Sequence, residues 1–165
     1  MFRKMRRWKQ EFPIEESYEI LKQGSYGTLA LQGDEGYPYA VPMAYVFDGK
    51  KIYFHSAASG HKIDAINRDS KASFCVVWEN TNIPEKLTTA YRSVVVFGRV
   101  EIVEDSEEKL RAIEAIGRKY SPGYEAEMNS HINRDFKVLR VISLTPEHVT
   151  GKEAIELMRM RSDNN

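Results

Sequence analysis

The stretch Tyr53-Phe54-His55-Ser56-Ala57-Ala58-Ser59-Gly60-His61-Lys62 gathers side chains that bind anions and carry protons. Its texture predicts a strand that runs into a small-residue loop and then opens a helix. A helix start has unpaired backbone N–H groups and a partial positive charge, so it attracts anions. Hydroxyls at Ser56 and Ser59, imidazoles at His55 and His61 and the Lys62 ammonium crowd the same junction, and the natural guest is a phosphate. Positive charge on His61 or Lys62 opposes the helix dipole there. Such a conflict is expected where binding overrides stability. Alternation puts Ile52, Phe54 and Ser56 on one face of the strand and Tyr53, His55 and Ala57 on the other. A lone strand histidine is more often a satisfied structural group than a catalyst. His55 stands out because the anion loop begins directly behind it.

Other chemistries are poorly served. His55 and His61 lie across a strand–helix junction with no carboxylate or cysteine to complete a ligand set, so no metal is expected. Cys75, within Phe74-Cys75-Val76-Val77, reads as a buried inert thiol. Neither a nucleophile elbow, a dinucleotide fingerprint nor a phosphate-binding P-loop occurs, which counts against hydrolase and nucleoside-triphosphatase readings. Gly36-Tyr37-Pro38-Tyr39-Ala40-Val41-Pro42 has prolines that free neighbouring carbonyls: it is either a bent edge strand or a wall for a flat ring. Tyr91-Arg92-Ser93 opens a long strand with polar tips, and reads equally as a surface strand end or a ligand contact.

The elements that must position these residues can be read in order. Pro13, Glu15 and Glu16 start a helix that carries Ile14, Tyr18 and Leu21, with Gly24 as its C-cap. Strands are expected over Tyr26–Leu31, Tyr37–Phe47 with an edge, bulge or break near Pro42, and Lys51–Ser56 after an Asp48-Gly49 turn. A helix over His61–Arg68, a strand over Lys71–Trp78, a polar loop over Glu79–Thr89 and a strand over Tyr91–Val103 follow, with a bulge marked by Gly98. Asp105 or Ser106 caps a helix to Tyr120 with Leu110, Ile113, Ile116 and Gly117 inward; residues 124–135 suit a second helix. A last strand over Phe136–Leu144 is broken by Thr145-Pro146. Roughly six hairpin-connected strands with peripheral helices imply a mainly β protein, an antiparallel closed or partly open barrel.

Composition fits one soluble domain. Apolar residues at 42% and a formal net charge of zero give no global field for nucleic acid or an anionic membrane. No apolar run approaches the ~20 residues of a membrane span, and the N-terminus lacks the apolar stretch of a secretory signal. A cytoplasmic protein is expected. Arg3, Lys4, Arg6, Arg7 and Lys9 make residues 1–12 a basic arm, read as a frayed terminus or as a strap over a partner subunit or anionic ligand. Nucleic-acid binding through so short a cluster is weakly supported.

Gly36–Pro42, Tyr53–Ala57 with Gly60-His61-Lys62, Tyr91–Gly98 and Thr150-Gly151-Lys152, in that order, resemble the flavin-binding split-barrel proteins related to pyridoxamine 5′-phosphate oxidase. The look is closest to the nitroimidazole-resistance branch. The resemblance implies a six-stranded antiparallel split barrel over residues 13–152, a C-terminal tail from 153 to 165, and a homodimer with FMN at the subunit interface. It implies that Ser59, Gly60, His61 and Lys62 hold the FMN phosphate, and that Pro42, Met43, Ala44 and Tyr45 lie along the isoalloxazine. His55 and Ser56 would sit near the flavin or substrate, and Tyr91, Arg92 and Ser93 would contact phosphate or ribityl oxygens, from the other subunit in one arrangement. FAD or a deazaflavin are alternative cofactors. The expected activity is hydride transfer from a reduced nicotinamide to a small acceptor such as a nitroaromatic, with His55 as proton donor. The alternative is a flavin- or haem-binding module without turnover.

Overall fold

An eight-stranded sheet, antiparallel at every pairing, organises the chain in the computed structural model, which describes residues 1–163. A 3-10 turn at Trp8–Gln10 precedes strand β1 (Glu11–Phe12) and helix α1 (Ile14–Gln23). Strands β2 (Tyr26–Gln32), β3 (Pro38–Ala44), β4 (Val46–Phe47) and β5 (Ile52–Ser56) come next, then α2 (His61–Arg68). The long hairpin β6 (Lys71–Ile83) and β7 (Thr88–Ile102) leads to α3 (Ser106–Tyr120), α4 (Glu125–Asp135), β8 (Arg140–Glu153) and α5 (Ile155–Asp163). The strand order is β3-β2-β6-β7-β8-β5-β4, with β1 added to β8. β3 and β4 stay unjoined, so the sheet is an open, split barrel. The long strands are those anticipated for a split barrel; β1 and β4 are two-residue additions.

Local chemistry fixes the turns that matter. Asp48 Oδ1 accepts from the Lys50 and Lys51 amides at 2.7 Å, and Gly49 takes a φ of 97°, closing the β4–β5 hairpin. Asp105 caps α3 by accepting from the Glu108 amide at 2.7 Å. β5 then buries both of its faces. Ile52 and Phe54 join a cluster with Leu29, Phe74 and Leu144, while Tyr53 joins another with Val141, Ile113, Ile116 and Ile132. The first cluster is the barrel interior; the second is the seam where α3 and α4 cover the outer side of β5 and β8.

Several expectations need correction. Glu79–Thr89 is not a loop: β6 and β7 remain paired to Ile83↔Thr88, around a register shift between Val77 and Glu79. Those pairs rest on backbone hydrogen bonds, and exposed Glu79, Asn80, Thr81 and Asn82 carry no apolar alternation to reveal them. Nor does Pro146 end the last strand. β8 begins at Arg140, after α4 and its exit, and runs on to Glu153. Pro146 pairs with Gly98 at the irregularity in the β7–β8 ladder, beyond the last β5 partner, Leu144. Its missing N–H is tolerated because only one side of the strand is paired there. The break after β3 falls at Tyr45 rather than Pro42, and β3 is an edge strand, which accommodates Pro38 and Pro42. Leu110 is 40% exposed; Ala112, Ile113 and Ile116 face inward instead. The arm is not frayed throughout, since Phe12 is buried opposite Gly151 and Phe2 stacks on His148 at 4.7 Å.

Candidate functional site

The loop after β5 reaches α2 through Gly60, whose φ of 122° and ψ of 172° suit glycine alone. A Cβ placed there would meet nothing within 4 Å, so the mouth of the helix is open. The Gly60 carbonyl accepts from the Ile63 and Asp64 amides at 2.8 and 3.1 Å. The amides of His61 and Lys62 are left without an acceptor among the described residues, and Ser59 is exposed beside them. This is the geometry of an anion cradle.

The side chains of the first turn diverge. His61 lies against the Tyr39 ring at 4.1 Å between centroids, and its Nε2 is 3.4 Å from Asp34 Oδ2. Asp34 is also bonded by Arg68 at 2.6 Å, whose guanidinium holds the carboxyl below its usual range. His61 is therefore engaged by α2's own surroundings. Lys62 turns the other way and donates to Met43 Sδ at 3.4 Å. Burial alone pulls its pKa below that of a free lysine; among the described residues no carboxylate compensates the ammonium. A half-buried cation without a counter-ion, at the open end of a helix, is a place for an anion to complete.

His55 is exposed on the face of β5 opposite Phe54, and Ser56 is buried. Desolvation, and secondarily the Lys62 charge, lower the His55 pKa below 6.5, so its imidazole is neutral at pH 7. Next to it, a cavity of about 600 Å³ opens between β5, α3 and α4. Gly117 makes room on the α3 side, since a Cβ there would come within 1.9 Å of Met128 Sδ.

The segment Pro42–Tyr45 divides. Pro42 is exposed, Ala44 half-buried and Met43 buried against Lys62, all on the outer edge strand. Tyr45 is fully buried and its backbone is already used. Its N–H donates to the Tyr120 hydroxyl at 2.9 Å, and its carbonyl accepts from Tyr120 at 2.8 Å and from Lys119 at 3.1 Å. The Tyr45 backbone is thus satisfied within the chain, while its side-chain hydroxyl is buried without a hydrogen-bond partner among the described residues.

Tyr91, Arg92 and Ser93 are far from His55 within one chain. His55 pairs with Val141, whose carbonyl accepts from Val103, so His55 is level with the end of β7. Ser93 lies about ten residues, or about 33 Å, back along that strand. Pro42 is level with Val95 through Thr28 and Cys75, but three strand spacings away, about 14 Å. Arg92 lies 3.4 Å from buried Glu153 and 3.9 Å from Glu79, with its Nε making no hydrogen bond among the described residues. Thr150-Gly151-Lys152 has a packing reason that spacing did not reveal. A Cβ on Gly151 would sit 2.0 Å from the Phe12 ring and 2.4 Å from Ser17 Oγ, and Lys152 Nζ stands 5.3 Å over the Tyr91 ring. Sequence reasoning also missed Tyr120 and Lys119, whose partners are remote in the chain.

The model of the pyridoxamine 5′-phosphate oxidase family matches residues 13–153. No curated protein matches the chain. Among solved structures, a putative 5-nitroimidazole antibiotic resistance protein from Bacteroides thetaiotaomicron is similar at 23% identity and TM-score 0.70, over 87% of this chain and 86% of that one. A conserved hypothetical protein from Mycobacterium tuberculosis is similar at 22% identity and TM-score 0.79, over 93% and 92%. The FAD and haem binding protein from Mycobacterium smegmatis is similar at 18% identity and TM-score 0.74, over 88% and 74%. At these identities the likeness is one of fold.

Proposed function

The chain belongs to the pyridoxamine 5′-phosphate oxidase family, and from that premise we propose that it is an FMN-dependent oxidoreductase acting on a small acceptor such as a nitroaromatic. The observation that carries this reading is Lys62: a half-buried ammonium without a carboxylate partner, beside unpaired amides and an open Gly60. These residues fit a phosphate monoester. FMN, when bound, supplies the redox chemistry, taking hydride from a reduced nicotinamide and passing electrons to the acceptor.

The chain's own residues bind and orient. Lys62, Ser59 and the amides at the start of α2 hold the phosphate, with Ser56 close behind. Pro42, Met43 and Ala44 lie along the ring, because β3 pairs only with β2 and its outer backbone groups are unpaired. His55 hydrogen-bonds ring or substrate as a neutral imidazole; its lowered pKa argues against a standing proton donor at pH 7. Tyr91, Arg92 and Ser93 reach this site from a second copy of the chain, in a homodimer with two flavins at the subunit interface. Exposed Val77 and Phe97 on the β6–β7 hairpin favour such an apposition.

Purified protein titrated with FMN tests the reading: it takes up one flavin per chain, the flavin absorbance bands shift, and NADH or NADPH bleaches them. Protein that binds no flavin overturns it. Flavin that binds but resists reduction turns the assignment to a module without turnover.

A further inference from the structure

We infer that the cavity between β5, α3 and α4 admits a one- or two-ring aromatic molecule that is neutral or positively charged, and rejects a phosphorylated one. The inference rests on the flavin reading only in taking this guest for the electron acceptor. Its volume of about 600 Å³ lies within the range of small-molecule sites. Ile113, Ile116, Ile132 and Leu139 give it apolar walls, and Met128 adds a thioether that adapts to a ring's edge. His55 stands at the β5 side, which puts any guest against a residue that feels the Lys62 charge.

Charge decides the class. The ionisable groups lining the cavity besides His55, His131 and the Tyr124 phenol are the carboxylates of Glu127 and Asp135; among the described residues no lysine or arginine lines it. Asp135 is neutralised from outside by Arg134 at 2.7 Å, whereas Glu127 forms no ion pair among the described residues. Lys62 acts on His55 but does not line the cavity, and a flavin phosphate would neutralise it. A dianionic guest therefore finds an unpaired carboxylate and apolar walls, with no cation to replace its water. A cation finds Glu127.

The test uses three molecules that share one ring system: naphthalene-methylamine, naphthalene-methanol and naphthalene-methyl phosphate. Each is titrated by fluorescence into the full chain, with and without FMN, in excess inorganic phosphate so that the Lys62 loop does not capture the third. The amine and alcohol are expected to bind, with the phosphate at least about tenfold weaker. Glu127→Gln, an exposed position, lowers amine affinity about fivefold and leaves the alcohol unchanged. Gly117→Ala pushes Met128 into the cavity and weakens all three. Phosphate binding equal to that of the amine, or rings indifferent to both variants, overturns the inference. Flavin uptake without ring binding overturns it too, and leaves the function standing. Ring binding without flavin uptake supports it and removes the function.

Discussion

Lys62 Nζ rests 3.4 Å from Met43 Sδ, which pins the first turn of α2 against the last residues of the edge strand β3. Substitution by methionine keeps the packing and removes the charge. Loss of a charge-assisted contact to phosphate predicts flavin affinity about ten- to a hundredfold lower, measured by fluorescence quenching. Riboflavin, which has no phosphate, binds both proteins alike. The ammonium is desolvated without compensation, so Lys62→Met also raises Tm; a fall in both Tm and riboflavin binding would reassign Lys62 to structure.

His55 gives stability a pH dependence of definite sign. Its folded-state pKa lies below the ordinary 6.5, chiefly through desolvation. As pH falls, the unfolded chain takes up the proton first. Stability that is full above pH 6.5 is therefore lost as pH drops through the folded value. His55→Asn flattens that slope. Thermal melts between pH 5 and 8 compare the two, and identical slopes refute the assignment.

Tyr120→Phe deletes the hydroxyl that serves the Tyr45 amide and the carbonyls of Tyr45 and Ser25. Lys119 still reaches the Tyr45 carbonyl, but the buried amide is orphaned. The expected cost is about 1–3 kcal/mol in urea unfolding. A loss below about 0.5 kcal/mol would mean that water replaces the hydroxyl.

Gly151→Ala puts a methyl into the Phe12 ring and Ser17. Overpacking of this kind costs about 1–3 kcal/mol. Here the strain has an outlet, because β1 is two residues long and can peel from β8. Limited proteolysis is expected to cut near Phe12 in the variant and not in the parent.

What was legible in the sequence depended on how local its cause is. The α2 boundaries and the Asp48-Gly49 turn were readable because cap, turn and periodicity lie within a few residues of each other. The outer half of the β6–β7 hairpin was not, since polar residues on both faces carry no alternation. Pro146 misled because a missing donor matters only where a neighbouring strand needs it. At the site, the open helix start at Ser59–Lys62 was readable from adjacent residues, while the satisfaction of His61 by Asp34 and Tyr39 depends on residues more than twenty positions away. The engagement of the Tyr45 backbone was hidden for the same reason: its partner is 75 residues distant.

β5 has a consequence for how such a protein can change. Its successive side chains enter different clusters, Ile52 and Phe54 the barrel, Tyr53 the seam beneath α3 and α4. One strand is thus a party wall between two rooms. Substitutions on α3 and α4 can refit the outer room for a new guest while the inner one keeps the barrel and α2 in place. Divergence in what is admitted need not disturb what is held.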